Sequence, residues 1–596
     1  MTAQEAIAYI ENYTWSTTRL GLERTRELLK KLGDPQKKLK FVHVAGSNGK
    51  GSTCAMLERI LREAGYRTGL YTSPYIQDFC ERMQVNGENI PGETLAALTE
   101  RVRVIADKMD DHPSQFELVT AIAMQYFLDA KCDIVVLEVG MGGALDSTNA
   151  IDAPEVAVIT NLALEHTEYL GNTLTAIAET KGGIIKPGCR VVAYPNVPEV
   201  TDTIARLCRA QNVTLTWADF DEIHPVRDSL DGQIFDYVNQ KGLFLSLLGA
   251  HQLKNAAVAL TVIATLRERG WRIPEEAVRA GLAQTKWPAR FEALHTAPLF
   301  LLDGGHNPQC AEALADCVAR YLPGEKPVFL MGVLADKDYD AMIDTVFRLG
   351  RRFICLTPVS PRALRGEVLA ADIRARGGEA IAAKDIPEGI RLALEAGGPV
   401  VAFGSLYLAG AIRTAFPKEM KRFQRRAGIA GREALSPAER AKKSAAIAEK
   451  IRALPEYQRA KTVMIYHAVG AEADLSSLLR DGKRFCFPCC LTKTEMSAMV
   501  PGAWRAGAFG IREPDPAQSE TVPPEEIDLV VAPCAGFDEE GRRVGMGAGY
   551  YDRFLPKCTS AAVFAAAFEA QRLEKVYTEE YDRAMDGAVT EEAVYR

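Results

Sequence analysis

The stretch Phe41-Val42-His43-Val44-Ala45-Gly46-Ser47-Asn48-Gly49-Lys50-Gly51-Ser52 decides how the chain is read. An apolar, β-branched run ends at Gly46 and a glycine-rich turn follows. Thr53 to Ala64 then spaces Met56, Leu57, Ile60 and Leu61 as one face of a helix. Strand, glycine turn and helix N-terminus together hold a nucleotide phosphate. Backbone N–H groups converge on the anion, the helix dipole favours it, Lys50 adds a point charge, and the Ser52 hydroxyl reaches Mg²⁺. Glycine is needed because a side chain would keep the backbone off the phosphates. The spacing departs from G-x-x-x-x-G-K-[ST]: Gly46 and Gly49 are closer together, and Gly51 separates Lys50 from the hydroxyl. An ordinary glycine-rich strand-to-helix turn stays open on this stretch alone. The working expectation is an ATP site built from Gly46, Ser47, Asn48, Gly49, Lys50, Gly51 and Ser52.

Outward from this loop, residues 1–293 alternate strand-like and helix-like segments, which implies parallel βαβ units. Strands are expected at Lys40–Ala45, Thr68–Thr72, Asp133–Val139, Val156–Asn161 and Cys189–Tyr194. Helices are expected at Glu93–Lys108, Glu117–Ala130, Thr173–Ile185 and Gln252–Arg269, and a hairpin over Phe235–Leu247 turning at Asn239-Gln240-Lys241-Gly242. A second, smaller α/β alternation starts at Phe300: Leu301–Asp303, a helix from Pro308, Val328–Met331, a helix from Tyr339, Phe353–Leu356 and Val400–Phe403, ending near Phe416. Pro417 onward turns basic and helical, which reads as a solvated face rather than an RNA contact. A Ser436-Pro437-Ala438-Glu439 capping box opens another helix. Strands near Thr462–Tyr466, Phe485–Pro488 and Asp528–Ala532 then mark a third α/β region. The expected domains are 1–293, 294–417 and 418–596.

At 596 residues the chain has room for these, at about 100 to 200 residues each. Its 47% hydrophobic and 25% charged residues suit a globular protein, and the net charge of −7 speaks against a nucleic-acid binder held by phosphate neutralisation. No apolar run approaches the roughly 20 residues a membrane helix needs. Met1–Arg19 lacks the basic-then-apolar layout of a secretory signal. The 13 cysteines show no framework spacing, which fits reduced thiols in a cytoplasm. Cys486-Phe487-Pro488-Cys489-Cys490 lacks a second Cys/His pair at ligand spacing, so it reads as buried strand thiols rather than zinc ligands.

Several residues point to chemistry. Glu138 closes an apolar strand just before Gly140-Met141-Gly142-Gly143, where a carboxylate beside a phosphate loop can ligate Mg²⁺. His166 follows the next strand and is expected at metal or phosphate, or as a structural loop histidine. Lys181 lies on a helix before Pro187. Arg290 sits at a domain boundary, where it reaches a phosphate only when the domains close. Asp303-Gly304-Gly305-His306-Asn307 ends a strand and opens a helix, the position where ligands meet α/β sheets.

Taken in order, Gly46–Ser52, Thr72-Ser73-Pro74, Glu81-Arg82, Asn86-Gly87, Phe116-Glu117, Glu138–Asn149, His166, Lys181, His251-Gln252, Trp287–Glu292, Asp303–Asn307, Asp336-Lys337-Asp338 and Gly404-Ser405-Leu406-Tyr407 resemble the folylpolyglutamate synthase/dihydrofolate synthase family, relatives of the Mur peptide ligases. The resemblance implies a P-loop Mur-ligase-like ATPase domain followed by a smaller Rossmann-like α/β domain. It also implies a reaction: ATP phosphorylates a folate carboxylate, and the amine of glutamate attacks the acyl phosphate. Carried over by position, Lys50 and Ser52 hold phosphate and Mg²⁺, and Ser73, Glu138 and His166 are metal ligands. Lys181 matches a lysine that the family carbamylates. Asn255, Arg290 and Asp303 contact ATP, Phe116 and Glu117 the substrate, and His306 and Ser405 the incoming glutamate. Lys50, His166 and Lys181 are the expected catalytic residues of this half, with Mg²⁺ required and K⁺ a further candidate ion. Tyr75, Glu165 and Thr180-Lys181-Gly182 depart from the family pattern; acceptance of dihydropteroate is left open.

In the third region, Gly541-Arg542-Arg543-Val544-Gly545-Met546-Gly547-Ala548-Gly549-Tyr550-Tyr551-Asp552-Arg553 is a second glycine-rich loop leading into a helix. A tight turn would explain it equally well. With Lys421-Arg422-Phe423-Gln424-Arg425, Glu472, Gly510-Ile511-Arg512-Glu513-Pro514 and Ala532-Pro533 it resembles 5-formyltetrahydrofolate cyclo-ligase. By that resemblance Lys421, Arg425 and Arg543 hold phosphates, with Arg543 the catalytic residue. Gly545, Gly547 and Gly549 cradle them, Tyr550 and Tyr551 adjoin ATP, Asp552 is the Mg²⁺ partner, and Glu472 contacts folate. Ala548, where the family has glycine, is tolerated if its φ is negative. Together the two resemblances imply a cytoplasmic bifunctional α/β enzyme of small reduced folates, glutamate and ATP, with no nucleic-acid or membrane partner and a monomer admissible. The rivals are a Mur-type ligase on another carboxylate and a non-catalytic nucleotide- or folate-binding protein.

Overall fold

Five consecutive buried residues make β1, Phe41–Ala45, and the pattern repeats in β5, Ile134–Glu138. Strands apolar on both faces belong to a parallel sheet covered on both sides. The computed structural model that shows this describes residues 1–12, 21–164, 171–507, 511–579 and 582–596. The chain divides into two compact units: Met1–Leu294, Leu301–Asp385 and Pro399–Ala411 form one, and His295–Phe300, Ile386–Gly398 and Ile412–Arg596 the other.

In the first unit, β2 (Thr68–Tyr71), β3 (Met83–Val85), β4 (Glu88–Asn89), β6 (Val156–Ile159), β7 (Arg190–Ala193) and β8 (Leu215–Trp217) join β1 and β5 in the order β4-β3-β2-β5-β1-β6-β7-β8. The run from β2 to β8 is parallel, and β3 and β4 close one edge antiparallel. Helix Lys50–Glu63 and helix Ala250–Glu268 pack on one face with Val42, Val44, Val136 and Val158; the helices Gly92–Ala106 and Gln115–Asp129 pack on the other with Phe41, Tyr71 and Leu137. The ends of β5, β1 and β6 therefore lie side by side, which sets Glu138, Gly46 and Asn161 at one rim.

The hairpin turns earlier than its sequence suggests. β10 (Gly232–Tyr237) and β11 (Gln240–Leu245) are joined by Val238 and Asn239, and β9 (Ile223–Ser229) adds a third strand. Asp236 pulls the turn tight by accepting the Gly242 N–H at 2.7 Å.

Beyond β12 (Glu292–Thr296) and β13 (Leu299–Leu302), the strands β14 (Val328–Met331), β15 (Arg352–Cys355), β16 (Ala380–Ala382) and β17 (Val400–Phe403) pair in parallel as β17-β14-β15-β16. Asp303 N–H donates to Ala402 O at 2.8 Å, so the chain leaves β13 beside β17. It then enters helix Pro308–Tyr321, capped by Asn307.

The pattern expected to stop near Phe416 does not break there: helix Leu406–Glu433 runs through Pro417. Proline removes one helical hydrogen bond, yet Ile412, Phe416 and Met420, four apart on one helix face, stay buried and hold the helix together.

The second unit carries an eight-stranded sheet in the order Glu520–Val522, Met496–Val500, Arg484–Cys490, Thr462–Met464, Leu529–Pro533, Ala562–Ala566, Gly587–Val589, Val594–Tyr595. Its centre is parallel and its edges antiparallel. The Ser436–Glu439 capping box opens helix Pro437–Ala453, as its sequence predicts. Cys486 and Cys489 are buried on their strand, and all 13 cysteines are free thiols. Among the described residues no helix is long and apolar enough to cross a membrane.

Candidate functional site

The phosphate loop is fixed before any anion arrives. Ser47 and Asn48 both donate their N–H to Asn161 O, at 2.8 and 3.2 Å, so these two amides continue the sheet instead of facing the cradle. Helix Lys50–Glu63 makes its first intrahelical bond from Thr53 N–H to Gly49 O at 3.0 Å. The preceding amides of Lys50, Gly51 and Ser52 therefore lack helical acceptors and form the anion-facing end. Gly49 has φ +85°, and a Cβ there would meet Asn255 Oδ1 at 2.4 Å; one on Gly46 would lie 1.8 Å from Thr160 Oγ1. Gly51 is covered by the Trp287 indole, whose ring atoms would stand 2.8 Å from an added Cβ. The indole N–H is buried and finds no hydrogen-bond partner among the described residues.

Lys50 folds back, its Nζ donating to Gly46 O at 2.9 Å and Ser47 O at 3.2 Å, and Lys181 Nζ donates to the same Gly46 carbonyl at 2.9 Å. Two cations thus meet at the loop carbonyls. Glu138 is 5% exposed and accepts the Ser73 N–H at 3.1 Å. Burial pushes its carboxyl up, against the pull of Lys50, the Ser73 amide and Arg290. The buried carboxylate with the hydroxyls of Ser52 and Ser73 is a hard-oxygen donor set of the type Mg²⁺ takes. Glu165 and His166 lie outside the described residues, and among those described no cluster of three or more His, Cys, Asp or Glu suits a metal.

A cleft of about 280 Å³ gathers the loop, Ser73, Glu138, Lys181, Asn255, Arg290, Asp303 and His306. Arg290 stands between Ala289 (φ +56°) and Phe291 (φ +45°), two non-glycine residues in the left-handed region, and its Nη1 donates to Ala289 O at 2.9 Å. Asp303 steadies this turn: Oδ2 accepts Phe291 N–H at 2.8 Å and Oδ1 accepts Gly305 N–H at 2.7 Å. The Asn48 carboxamide reaches across, donating to Gln309 Oε1 at 2.5 Å and accepting from Asn307 Nδ2 at 3.1 Å. Burial lowers the neighbouring His251, with Asp303 opposing the shift.

Three expected contacts fall elsewhere. Glu117 does not line the cleft: its carboxylate accepts Ser114 N–H at 2.7 Å, Arg24 Nε at 3.0 Å and Thr25 Oγ1 at 3.2 Å. It completes the cap of helix Gln115–Asp129. Phe116 also stays outside, its ring against the backbone of Gly140. Ser405 is 1% exposed, its Oγ accepting Tyr407 N–H at 3.2 Å.

In the second unit Gly547 (φ +103°) and Gly549 (φ +67°) shape the loop, and Ala548 has no positive φ. The Arg425 guanidinium lies 3.3 Å from where a Cβ on Gly547 would be, and its Nε donates to Gly545 O at 2.7 Å. Arg543 Nη2 donates to Asp552 Oδ1 at 2.6 Å and stacks over Tyr551 at 5.4 Å. The Tyr551 hydroxyl is buried without a partner among the described residues. The helix after this loop, Tyr550–Phe554, has only five residues, and Tyr550 OH donates away to Thr492 O at 3.0 Å. Lys421 does not stand open for phosphate; its Nζ is 2.6 Å from both Glu579 and Asp582. Burial raises Glu472, which pairs with Arg432 at 3.5 Å. Gly510 lies outside the described residues.

Sequence comparison matches residues 44–263 to the Mur ligase middle domain, 289–406 to the Mur ligase glutamate ligase domain, and 417–591 to the 5-formyltetrahydrofolate cyclo-ligase family. Folylpolyglutamate synthase of Lacticaseibacillus casei is 36% identical over 436 residues, 69% of this chain and 98% of that protein. Dihydrofolate synthase/folylpolyglutamate synthase of Bacillus subtilis is 36% identical over 358 residues, 56% of this chain and 82% of that protein. The Mycobacterium tuberculosis folylpolyglutamate synthase complexed with ADP and AMPPCP superposes with a TM-score of 0.64 at 30% identity, covering 70% of this chain and 99% of that one.

Proposed function

The chain belongs to the folylpolyglutamate synthase family of Mur ligases and carries a 5-formyltetrahydrofolate cyclo-ligase region behind it; from that premise we propose how its residues divide two ATP-dependent folate reactions. Domains 1–293 and 294–417 ligate L-glutamate to a folate, and 418–596 converts 5-formyltetrahydrofolate to 5,10-methenyltetrahydrofolate in the cytoplasm. The observation that carries the reading is the single cleft in which Lys50, Ser52, Glu138, Lys181, Arg290, Asp303 and His306 converge.

In the ligase half, a folate carboxylate oxygen attacks the γ-phosphorus and ADP leaves. The glutamate amine then attacks the acyl carbon and phosphate departs. The amides of Lys50, Gly51 and Ser52 hold the triphosphate, and Lys50 turns from its loop carbonyls to the phosphates. Arg290 and Asn255 orient ATP beside Asp303. Lys181 braces the Gly46 carbonyl, and His306 receives glutamate. Ser52, Ser73, Glu138 and His166 would hold Mg²⁺, with K⁺ a further candidate ion of this half; when bound, the metal would supply charge neutralisation on the transferring phosphoryl group. The cleft between the loop and Asp303–His306 keeps water from the acyl phosphate.

In the other half, the formyl oxygen attacks the γ-phosphorus and ADP leaves; N10 then closes on the activated carbon and gives up its proton, and phosphate departs with the former formyl oxygen. Arg425, Arg543 and the loop amides of Gly545, Gly547 and Gly549 hold the nucleotide, and Lys421 joins them on leaving Glu579 and Asp582. Glu472 contacts folate, Tyr551 adjoins ATP, and Asp552 would hold Mg²⁺, which would supply charge neutralisation on the transferring phosphoryl group. The test is purified full-length protein with ATP, glutamate and tetrahydrofolate or dihydropteroate, beside a spectrophotometric assay for methenyl product. ADP release that ignores glutamate, or absence of methenyl product, defeats the corresponding half.

A further inference from the structure

Gln252 has no part in the chemistry above, yet it is 1% exposed at the start of helix Ala250–Glu268 and reaches the cleft. Both ends of its carboxamide are engaged: Nε2 donates to Ser52 Oγ at 3.2 Å, and Oε1 accepts Asn255 Nδ2 at 3.0 Å. Asn255 in turn lies against Gly49, where its Oδ1 would stand 2.4 Å from a Cβ. Three side chains thus form a line beneath the phosphate loop, from its left-handed glycine to its hydroxyl.

The chemistry of this line is directional. Because a donor from Asn255 occupies Oε1, the amide end of Gln252 must face Ser52. A serine hydroxyl has two lone pairs and one proton, and Gln252 takes one lone pair. A serine on a helix otherwise tends to turn its proton back to the carbonyl four residues earlier. Here Thr160 Oγ1 donates to that carbonyl, Asn48 O, at 2.9 Å, and among the described residues the one hydrogen bond of the Ser52 hydroxyl is that from Gln252. The second lone pair and the proton of Ser52 are therefore kept for the cradle.

We propose that Gln252 is a positioning residue of the ligase reaction: it holds the Ser52 hydroxyl in the orientation that serves metal-bound nucleotide, and Asn255 keeps its amide facing the right way. This rests on reading Ser52 as a metal and phosphate contact. The test is calorimetric binding of AMPPCP to the full chain across a Mg²⁺ series. Heat from the cyclo-ligase site is measured in a Lys50→Ala chain and subtracted. Gln252→Leu should raise the Mg²⁺ needed for half-maximal binding about 10- to 100-fold while metal-free binding stays within about twofold. Gln252→Glu, similar in shape but without the donor, should do the same. In a Ser52→Ala background Gln252→Leu should add nothing.

The outcomes separate cleanly. An unshifted Mg²⁺ requirement in Ser52→Ala defeats the reading of Ser52 and this proposal with it. A shift in Ser52→Ala but in neither Gln252 variant overturns the proposal alone. So does full additivity of the two substitutions, because Gln252 would then act on the fold and not through Ser52. Methenyl formation by the same molecules should stay at the unsubstituted rate, and where Gln252→Leu fails to fold, Gln252→Glu carries the test.

Discussion

The loop Gly46–Ser52 feeds a helix of 14 residues, whereas the loop Gly545–Gly549 feeds one of five. A long helix delivers a dipole and a row of unpaired amides to its N-terminus, so the first cradle is built mainly of backbone. The second has too short a helix for that and leans on Arg425 and Arg543. The resting state of the cations differs in the same sense. Lys50 rests on carbonyl oxygens, which are neutral, while Arg543 and Lys421 rest on carboxylates. A triphosphate entering the first site displaces dipoles; one entering the second competes with full charges.

The sharpest way to break this contrast is to remove one charged group from each side. Lys50→Ala should cut glutamate-dependent ADP release by about 10²- to 10³-fold and leave methenyl formation near normal; joint loss would show that the two sites are not independent. Asp552→Ala should do the reverse, lowering methenyl formation by up to about 100-fold, and an unchanged cyclisation rate would remove Asp552 from the metal role.

A smaller effect separates the two glycines. Gly49 and Gly547 both have positive φ, so an alanine at either costs about 1–2 kcal/mol of backbone strain. At Gly49 the new Cβ also meets Asn255 Oδ1 at 2.4 Å, against 3.3 Å to the Arg425 guanidinium at Gly547. The KM for ATP should rise further in the ligase assay of Gly49→Ala than in the cyclisation assay of Gly547→Ala, and equal rises would contradict the close packing of the first loop.

A separate effect is on stability against acid. His43 on β1 is fully buried, with Nε2 2.9 Å from Thr148 Oγ1, and burial holds its imidazole down to about 3 from an ordinary 6.5. The unfolded chain binds that proton and the folded one refuses it. The first unit should therefore lose stability as pH falls from 6.5 toward 3. Thermal melts at neutral and mildly acid pH should show a flatter acid limb in His43→Gln; an unchanged limb would assign the loss to other groups.

Much of the first unit was legible because buried parallel strands read as continuous apolar runs: β14 and β17 fall on the expected residues, and β1, β5 and β6 within one or two of them. Glu117 was legible in a different way from the one chosen. Ser114-Gln115-Phe116-Glu117 has the spacing of a capping box, and the carboxylate does cap its helix, whereas the family resemblance suggested a substrate contact. Other features leave no local trace. The use of the Ser47 and Asn48 amides by Asn161 follows from the register of β1 against β6. Lys421 meets Glu579 from 158 positions away. The bond from Gln252 to Ser52 joins two helices that only the folded sheet brings together. Periodicity reports which face of an element is covered, and not which polar atom it meets.

The indole of Trp287, lying over Gly51 with its N–H buried and unmatched among the described residues, is a built-in optical probe. Its emission senses the polarity at the mouth of the first cradle, so the arrival of nucleotide there can be timed by stopped-flow fluorescence without attaching any dye.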